Sequence, residues 1–310
     1  MSGSAHKPVL LREALAALRI RPDGCYVDAT FGRGGHSAAI LEELGPTGRL
    51  IAIDRDDEAV AWGKRQYGND PRFSIERGSF DQLAEIAREH DVTGRVDGLL
   101  LDLGVSSPQL DDAGRGFSFL RDGPLDMRMD RRQQETAANW IARASEPEIA
   151  DVLRRLGEER HARRIARAIC AARREAPIRT TGRLAEIIAA ANPAWEEGKH
   201  PATRSFQAIR IHINRELEAL ETCLQQAIEV LTGDGRVAVI SFHSLEDRIV
   251  KRFFRDAARG DRYPKGVPVP AEWIRPSLRL CGKAVSPSSR ELERNPRARS
   301  ARLRVAERVA

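Results

Sequence analysis

A short apolar strand, followed at once by a glycine-rich loop and a helix, is the feature that most constrains this chain. The predicted strand covers 25–29, and the loop with its flanks is Asp28-Ala-Thr-Phe-Gly-Arg-Gly-Gly-His-Ser37. Gly32, Gly34 and Gly35 allow positive φ angles and a close backbone approach to a ligand, while the helix after them directs N–H groups at that ligand. In a parallel α/β sheet, such a loop is where a nucleotide-like cofactor binds.

An acid follows the loop at the distance expected for a ribose ligand. Asp54 closes the next predicted strand, 19 residues after Gly35, and a carboxylate there suits a ribose diol. Two features separate the loop from the dinucleotide pattern G-x-G-x-x-G: Ser37 occupies the third glycine position, and Asp28 would repel a pyrophosphate. The arrangement D-x-x-x-G-x-G-G is similar to the first motif of S-adenosylmethionine-dependent methyltransferases, whose sulfonium cofactor has no pyrophosphate.

Apolar periodicity predicts an α/β fold, because helices and strands alternate as βαβ units do. The predicted elements are helix 9–18, strand 25–29, helix 36–44, strand 49–54, helix 58–67, strand 73–77, helix 81–90 and strand 96–103. Further elements are predicted near the carboxyl end: a buried fifth strand over 235–243, a helix over 246–258, and antiparallel edge strands over 278–285 and 301–305.

The alternation stops in the middle of the chain, where helical stretches punctuated by prolines replace the strands. We therefore predict a discontinuous sheet domain, 1–110 with 206–310, and an inserted helical subdomain over 111–205. A single long helix from Phe206 to Ile228, apolar in steps of three and four, is predicted to return the chain to the sheet.

Two stretches concentrate positive charge. Residues 154–183 contain ten arginines and three acids, and residues 290–308 contain seven arginines and three acids. Five arginines of the first stretch recur at helical spacing opposite an apolar set: Arg160, Arg163, Arg164, Arg167 and Arg174. Such a one-sided basic helix is either an RNA-binding face or a solvated helix surface. We expect the insert to bind RNA.

Composition narrows the class of protein. Lysine and arginine outnumber aspartate and glutamate, 51 to 45, and the isoelectric point of about 9.4 favours an anionic partner. The four cysteines are far apart, so neither a disulfide framework nor a zinc site is indicated, and no metal is predicted. With no apolar run long enough to span a membrane and no signal-peptide core, we expect a soluble, cytoplasmic protein.

A second acid marks the carboxyl end of the fourth predicted strand. Asp102 is either buried for structural reasons or directed at the cofactor cleft, because ligands bind beyond the carboxyl ends of parallel strands. Methyltransferases that act on exocyclic amines generally have an acid and a proline-containing turn at this place. Asp102, Ser106 and Pro108 are therefore the candidate catalytic residues, although the D-P-P-Y sequence of common amino methyltransferases is absent.

Eight motifs together carry a family resemblance. They are His6-Lys-Pro-Val-Leu10, Asp28–Ser37 above, Ala52-Ile-Asp-Arg-Asp56, Leu101-Asp-Leu-Gly-Val-Ser-Ser-Pro-Gln-Leu-Asp111, Gly116-Phe-Ser118, Asp126-Met-Arg-Met129, Ser241-Phe-His-Ser-Leu-Glu-Asp-Arg248 and Asn295-Pro-Arg-Ala-Arg-Ser300. With them the chain resembles, over nearly its whole length, the bacterial small-subunit ribosomal RNA cytosine-N4 methyltransferase family. The resemblance implies a class I (Rossmann-like) methyltransferase sheet, S-adenosyl-L-methionine as donor, and methylation of the N4 amine of one cytidine in the decoding region of 16S rRNA, with the rRNA or the 30S subunit as partner. It also implies a set of cofactor-pocket residues: Gly34, Gly35, His36, Asp54, Phe80, Asp102 and Gln109.

Several alternatives remain open at the level of sequence. Phe80 is either a flat wall for adenine or a core residue, His36 either a ligand or a neighbour of the helix cap, and His243 either substrate-facing or packed. Asp28 is expected mainly to order the glycine loop. Two other function classes share these features: a nicotinamide-dependent oxidoreductase, and an RNA-binding assembly factor with a vestigial cofactor site. A homodimer is also compatible with the sequence.

Overall fold

The computed structural model describes residues 8–193, 198, 200–260, 270 and 274–310, so His6 and Lys7 of the first motif lie outside the described residues. The chain divides into two compact units. The sheet unit comprises Met1–Gly104 and Leu217–Ala310, and the helical unit comprises Val105–Glu216. The helical unit is longer at both ends than the predicted insert 111–205, because Val105 and Phe206 pack into its own apolar core.

Seven strands of the described residues form one sheet. They are β1 Cys25–Asp28, β2 Arg49–Asp54, β3 Phe73–Arg77, β4 Val96–Asp102, β5 Leu231–Ser241, β6 Leu278–Leu280 and β7 Arg302–Arg308. The order is β3-β2-β1-β4-β5-β7-β6, with β1 to β5 parallel, β7 antiparallel to β5, and β6 antiparallel to β7. The predicted α/β class and antiparallel edge are confirmed. The predicted strand 278–285 is shorter than expected, and Val285 makes only an isolated bridge to Leu303.

Helices flank the strands and make up the helical unit. They are α1 Leu11–Leu18, α2 Gly35–Glu43, α3 Asp57–Tyr67, α4 Leu83–Glu89, α5 Ser107–Asp111, α6 Ala137–Arg143, α7 Glu146–Gly157, α8 Ala162–Glu175, α9 Thr181–Ala191, α10 Thr203–Asn214, α11 Glu216–Val230, α12 Ser244–Arg259 and α13 Ser289–Arg294. Short 3-10 turns cover Phe80–Gln82, Ala113–Arg115 and Pro296–Ser300. The described part of the predicted insert contains helices and no strand, as expected.

The central strands are apolar along their length because both faces of the sheet are covered. In β2, Ile51 and Ile53 pack into one apolar cluster, while Leu50 and Ala52 pack into another on the opposite face. This alternation is what a pleated strand with two buried faces requires. The parallel register brings the carboxyl ends of β1, β2, β4 and β5 to one edge of the sheet, where ligands bind in open α/β folds.

The prediction of one long helix over 206–228 is wrong, because Arg215 interrupts it in a left-handed conformation with φ of 49°. The buried Asn214 explains the break. Its Oδ1 accepts from the Met129 N–H at 2.8 Å, and its Nδ2 donates to the Met127 carbonyl at 2.8 Å. Both contacts are with distant chain, so the apolar period alone could not reveal them.

We expect Asn214→Ala to lower the free energy of unfolding by about 2–4 kcal/mol, since it leaves a buried N–H and a buried carbonyl without their partner. Denaturant titration followed by circular dichroism measures the change. Asn139→Ala, an exposed asparagine in α6, is the matched control. Equal stability of the two variants would contradict this account of the helix break.

Candidate active site

The glycine-rich loop between β1 and α2 combines left-handed backbone with close packing. Gly32 has φ of 56° and Gly34 has φ of 73°, as expected for glycines in such a turn. Gly35 differs from expectation, because it is the first residue of α2 and has no positive φ. A Cβ on Gly35 would lie 2.3 Å from Cγ of Pro8, so the glycine is required by close approach. The first turn of α2 has no side-chain cap, which leaves its N–H groups available to a ligand.

Two carboxylates, the buried Asp28 and the partly buried Asp54, hold this loop in place. Asp28 accepts the Ser37 hydroxyl at 2.6 Å and the Thr30 N–H at 3.2 Å, which confirms its predicted role in ordering the loop. Asp54 accepts the Gly32 N–H at 2.7 Å through Oδ2 and the Asp56 N–H at 2.9 Å through Oδ1. The carboxylate at the end of β2 therefore fixes the loop directly.

Acidic side chains converge at the carboxyl edge of the sheet. We define the acidic rim as Asp28, Asp54, Asp102 and Glu246. Burial raises the pKa of Asp28 to about 6 and raises the pKa of Asp54. Burial, followed by repulsion from Asp28 and Glu246, raises the pKa of Asp102 well above its ordinary value. These raised pKa values show that the charged form of each carboxyl is disfavoured, and a cation bound at the rim would stabilise it.

Asp102 keeps one carboxylate oxygen without a partner. Its Oδ1 is shielded from solvent and accepts no hydrogen bond from the described residues, although a quarter of the whole side chain is exposed. The backbone N–H of Asp102 donates to Thr30 Oγ1 at 2.6 Å, which fixes the end of β4 against the loop after β1. A buried acceptor of this kind is costly unless a ligand donates to it.

His36 lies between this acid and the amino-terminal segment. Its Nε2 is 3.1 Å from the Val9 carbonyl, which can only accept, so Nε2 carries the proton. Burial lowers the pKa of His36 to about 4, and the ring is therefore neutral near pH 7. Nδ1 then presents a lone pair 3.5 Å from Asp102 Oδ2. His36 therefore faces Asp102 as a neutral ring and brings no positive charge to the acidic rim.

Phe80 and Arg55 form a second feature of the same edge. Phe80 opens the 3-10 turn after β3 and is partly buried against the apolar cluster beneath the sheet. The Arg55 guanidinium lies 5.2 Å from the centre of the Phe80 ring and donates to Ser79 Oγ at 2.9 Å. Arg55 follows Asp54 directly in the chain, so the sequence neighbour of the predicted ribose ligand contacts the predicted adenine wall. The role of Phe80 as that wall stays a prediction.

His243 and Glu246 form the start of α12. His243 Nδ1 accepts the Glu246 N–H at 3.4 Å, and Glu246 Oε2 accepts the Phe242 N–H at 2.8 Å. His243 Nε2 lies 3.1 Å from Glu246 Oε1. The histidine is thus packed as a helix cap, one of the two alternatives. Glu246 was missed as a member of the rim, although an acid three residues after a capping residue is the pattern of a capping box.

The other predicted site residues belong to the helical unit. Ser106 precedes α5 and its N–H donates to Gln109 Oε1 at 2.9 Å, while Pro108 occupies the first turn of that helix. Gln109 is buried. The expected proline-containing turn is therefore the start of a helix. The sheet unit brings together Gly34, Gly35, His36, Asp54 and Asp102, while catalytic roles for Ser106 and Pro108 and a cofactor role for Gln109 remain predictions.

Comparison with known proteins identifies the family. The model of the MraW methylase family matches residues 3–309 of this chain. The chain belongs to the MraW methylase family. A relative from Thioalkalivibrio sulfidiphilus, named ribosomal RNA small subunit methyltransferase H, is 60% identical and covers 100% of both chains. Proteins of the same name from Chromohalobacter salexigens and Shewanella halifaxensis are 58% and 56% identical over 98% of this chain and 92% and 97% of their own lengths.

Membership of the MraW methylase family agrees with the architecture, and the predicted class I methyltransferase sheet is confirmed. Within the described residues, no group of three or more His, Cys, Asp or Glu side chains has the geometry of a metal site. No helix in the described part of the chain is both long and apolar enough to cross a membrane.

The raised pKa of Asp28 predicts a pH dependence of stability. Its folded-state pKa of about 6 exceeds the ordinary value of 3.8, so the folded protein binds this proton more tightly than the unfolded chain. The resulting stabilisation is present below about pH 4 and is lost as pH rises to 6. Relative to Asp28→Asn, the wild type should lose about 3 kcal/mol across this window. Urea titrations of both proteins from pH 4 to 7 test this, and parallel stability curves would contradict it.

Proposed function

We propose that this protein transfers a methyl group from S-adenosyl-L-methionine to the N4 amine of a cytidine in the decoding region of small-subunit rRNA. The observation that carries the proposal is the acidic rim around an uncapped glycine loop. The family and the names of the relatives support the substrate class. The N4 position follows from the resemblance of the motifs given above.

The residues of the sheet unit suit this cofactor. S-adenosylmethionine supplies an electrophilic methyl group on a positively charged sulfonium, and it also carries an ammonium group. A site with raised carboxyl pKa values and an unpartnered Asp102 Oδ1 is stabilised by such a cation. Asp54 would accept from the ribose hydroxyls, and the N–H groups of Gly35 and His36 would face the ligand. A nicotinamide dinucleotide, with its negative pyrophosphate, would be repelled by the same carboxylates.

The amine acceptor needs orientation rather than covalent activation. Its lone pair is delocalised into the base, and an acceptor that holds the amine hydrogens can direct it at the methyl group. Asp102 lies at the end of β4 with an oxygen available for this task, and a carboxyl of raised pKa is suited to take up the proton that the amine loses. Ser106, four residues further along the chain, is the second candidate for holding the amine.

The helical unit supplies a basic face for RNA. Helix α8 buries Ile165 and Ile169 and exposes Arg163, Arg164 and Arg167 on its other side. Arg167 has one weak neighbour, Glu146 at 3.7 Å. Arg173 of the same helix, by contrast, is partly buried and donates to the Ile141 and Ala144 carbonyls at the end of α6. The exposed arginines of α8 are suited to phosphate contacts.

Transfer of labelled methyl groups tests the proposal. Purified protein, labelled S-adenosylmethionine and either 30S subunits or a 16S rRNA fragment should yield N4-methylcytidine, identified by mass spectrometry of the digested RNA. A protein that binds RNA but neither binds S-adenosylmethionine nor methylates would be an assembly factor with a vestigial site. Binding of a nicotinamide dinucleotide instead, measured by isothermal titration, would indicate an oxidoreductase.

We expect Asp54→Ala to weaken binding of S-adenosylmethionine by about 1–3 kcal/mol, because the ribose hydroxyls lose a charged acceptor. Asp54 also holds the Gly32 N–H, so Asp54→Asn, which keeps one acceptor oxygen, should lose less affinity than the alanine variant. Isothermal titration gives the dissociation constants. An unchanged constant in Asp54→Ala would refute the ribose assignment.

Charge reversal tests the basic face of α8. Replacing Arg163, Arg164 and Arg167 by glutamate should weaken RNA binding and flatten its salt dependence, since each lost phosphate contact removes about one released counterion. Cofactor affinity should not change. Arg154 and Arg155, which pair with Asp151, provide a control double reversal within the same unit. Identical salt slopes for wild type and the α8 variant would exclude this face as the RNA contact.

The chemistry should require no cysteine. Carbon-5 methylation of cytosine needs a thiolate nucleophile, whereas an amine does not. Burial raises the pKa of Cys25 to about 11, and it also raises the pKa values of Cys223 and Cys281. A variant with all four cysteines replaced by serine or alanine should therefore methylate at a rate limited only by lost stability. Abolished methylation in a well-folded cysteine-free variant, or a label on a ring carbon, would overturn the direct-transfer mechanism.

A further inference from the structure

The segment Ser288–Ser300, which contains α13 and the following 3-10 turn, is a basic stretch of the sheet unit. Its exposed cations are Arg290, Arg294, Arg297 and Arg299. Its two acids differ in environment: Glu293 is exposed, whereas Glu291 is partly buried. The outer surface of the 288–300 segment therefore carries a clear excess of positive charge.

This segment is fixed to the core rather than loosely attached. Leu292 packs against the same apolar cluster that contains Val9 and Phe31, and Ala298 is fully buried in it. Ser288 caps α13 by accepting the Glu291 N–H at 3.2 Å. The backbone that carries the four arginines is thus held in one position, so little ordering is needed when a ligand binds.

Glu291 connects the segment to the cofactor loop. Its Oε1 accepts the Leu10 N–H at 2.8 Å, and the neighbouring Val9 carbonyl accepts His36 Nε2–H at 3.1 Å. Pro8 in turn packs on Gly35 at the start of α2. The 288–300 segment is therefore separated from His36 by one short stretch of chain. Because Glu291 is directed inward, its charge does not cover the arginines on the outside.

Other arginines of the carboxyl-terminal stretch have structural partners. Arg304 donates to both oxygens of Asp247, at 2.7 and 3.0 Å, and Arg308 donates to the Leu231 carbonyl. The basic stretch 290–308 thus consists of two parts. The β7 part stabilises the sheet, while Arg290, Arg294 and Arg299 have no such carboxylate partner among the described residues.

We propose that the 288–300 segment is an RNA-binding surface of the sheet unit, whose arginines bind phosphates of the strand that flanks the target nucleotide. The inference rests on the proposed function, and it adds a contact distinct from the α8 face. Arginine forks suit phosphate oxygens, and the contacts of Glu291 and Leu292 hold this cluster against the amino-terminal segment that packs on the cofactor loop.

The test is a triple variant, Arg290→Gln, Arg294→Gln and Arg299→Gln, with Arg297 left in place. The matched control removes the same charge elsewhere on the sheet unit through Arg65→Gln, Arg88→Gln and Arg95→Gln, three exposed arginines. Affinity for a 16S rRNA fragment is measured by filter binding over a potassium chloride series. Affinity for S-adenosylmethionine is measured by isothermal titration, and folding is checked by thermal melting.

We expect the segment variant to bind RNA on the order of tenfold more weakly, with a salt slope smaller by about 2, while cofactor affinity stays unchanged. The control should retain nearly the wild-type slope. Equal salt slopes for the segment variant and the control would overturn the inference. The 288–300 segment would then be a solvated surface that does not contact RNA. If the α8 reversal lowers the slope in the same assay, the proposed function stands although this surface is lost. If the wild-type protein binds no rRNA, the proposed function itself fails.

Discussion

The hydrogen bond from the Gly32 N–H to Asp54 Oδ2, 2.7 Å long, ties the glycine-rich loop to the end of β2. The loop backbone is left-handed at Gly32 and Gly34. A hydrogen bond to a residue outside the loop therefore helps to fix its conformation between β1 and α2. Asp28 supplies a second one through Ser37. With the loop fixed from two strands, the first turn of α2 and the side chain of His36 acquire defined positions.

The carboxylates that fix the loop are also placed where burial disfavours their charged form. Asp28 and Asp54 accept backbone N–H groups, yet burial raises their pKa values, and at Asp102 repulsion from Asp28 and Glu246 adds to the effect of burial. A cationic ligand relieves that repulsion, whereas a pyrophosphate would increase it. The same interactions that order the loop therefore favour one of the several cofactors that proteins of similar fold bind. The neutral His36, with its proton fixed on Nε2 by Val9, adds no positive charge of its own.

Arginine has different tasks in different places of this protein. Arg173 caps the carbonyls at the end of a helix, Arg236 and Arg304 pair with Glu307 and Asp247 inside the sheet unit, and the arginines of α8 are exposed. Net charge alone could not separate these groups. Only arginines without an internal carboxylate or carbonyl partner are candidates for binding RNA phosphates. The structure therefore reduces the number of candidate arginines in both basic stretches of the sequence.

Local pattern determined much of this molecule. The period of apolar residues predicted the strands from β1 to β4 and the helices between them with small errors at the ends, because strands buried on both faces leave a strong signal. The strand, loop and acid placed Asp54 at the cofactor edge, and the set of motifs identified the family. The carboxylate role of Asp28 in ordering its own loop was also predictable, since the partner Ser37 is only nine residues away.

Tertiary structure decided what depends on distant contacts. The break at Arg215 arises from Asn214 bonding to chain about 85 residues away, and an apolar period continues through such a break. Gly35 is required by Pro8, and the tautomer of His36 is set by Val9, neither of which a loop motif contains. Glu246 joins the acidic rim only because β5, which precedes α12, pairs with β4 and ends at the same edge of the sheet. Glu291 contacts the amino-terminal segment only because α13 returns to it. Such contacts join residues far apart in sequence. Their energies depend on how deeply they are buried, and the local sequence pattern does not show this.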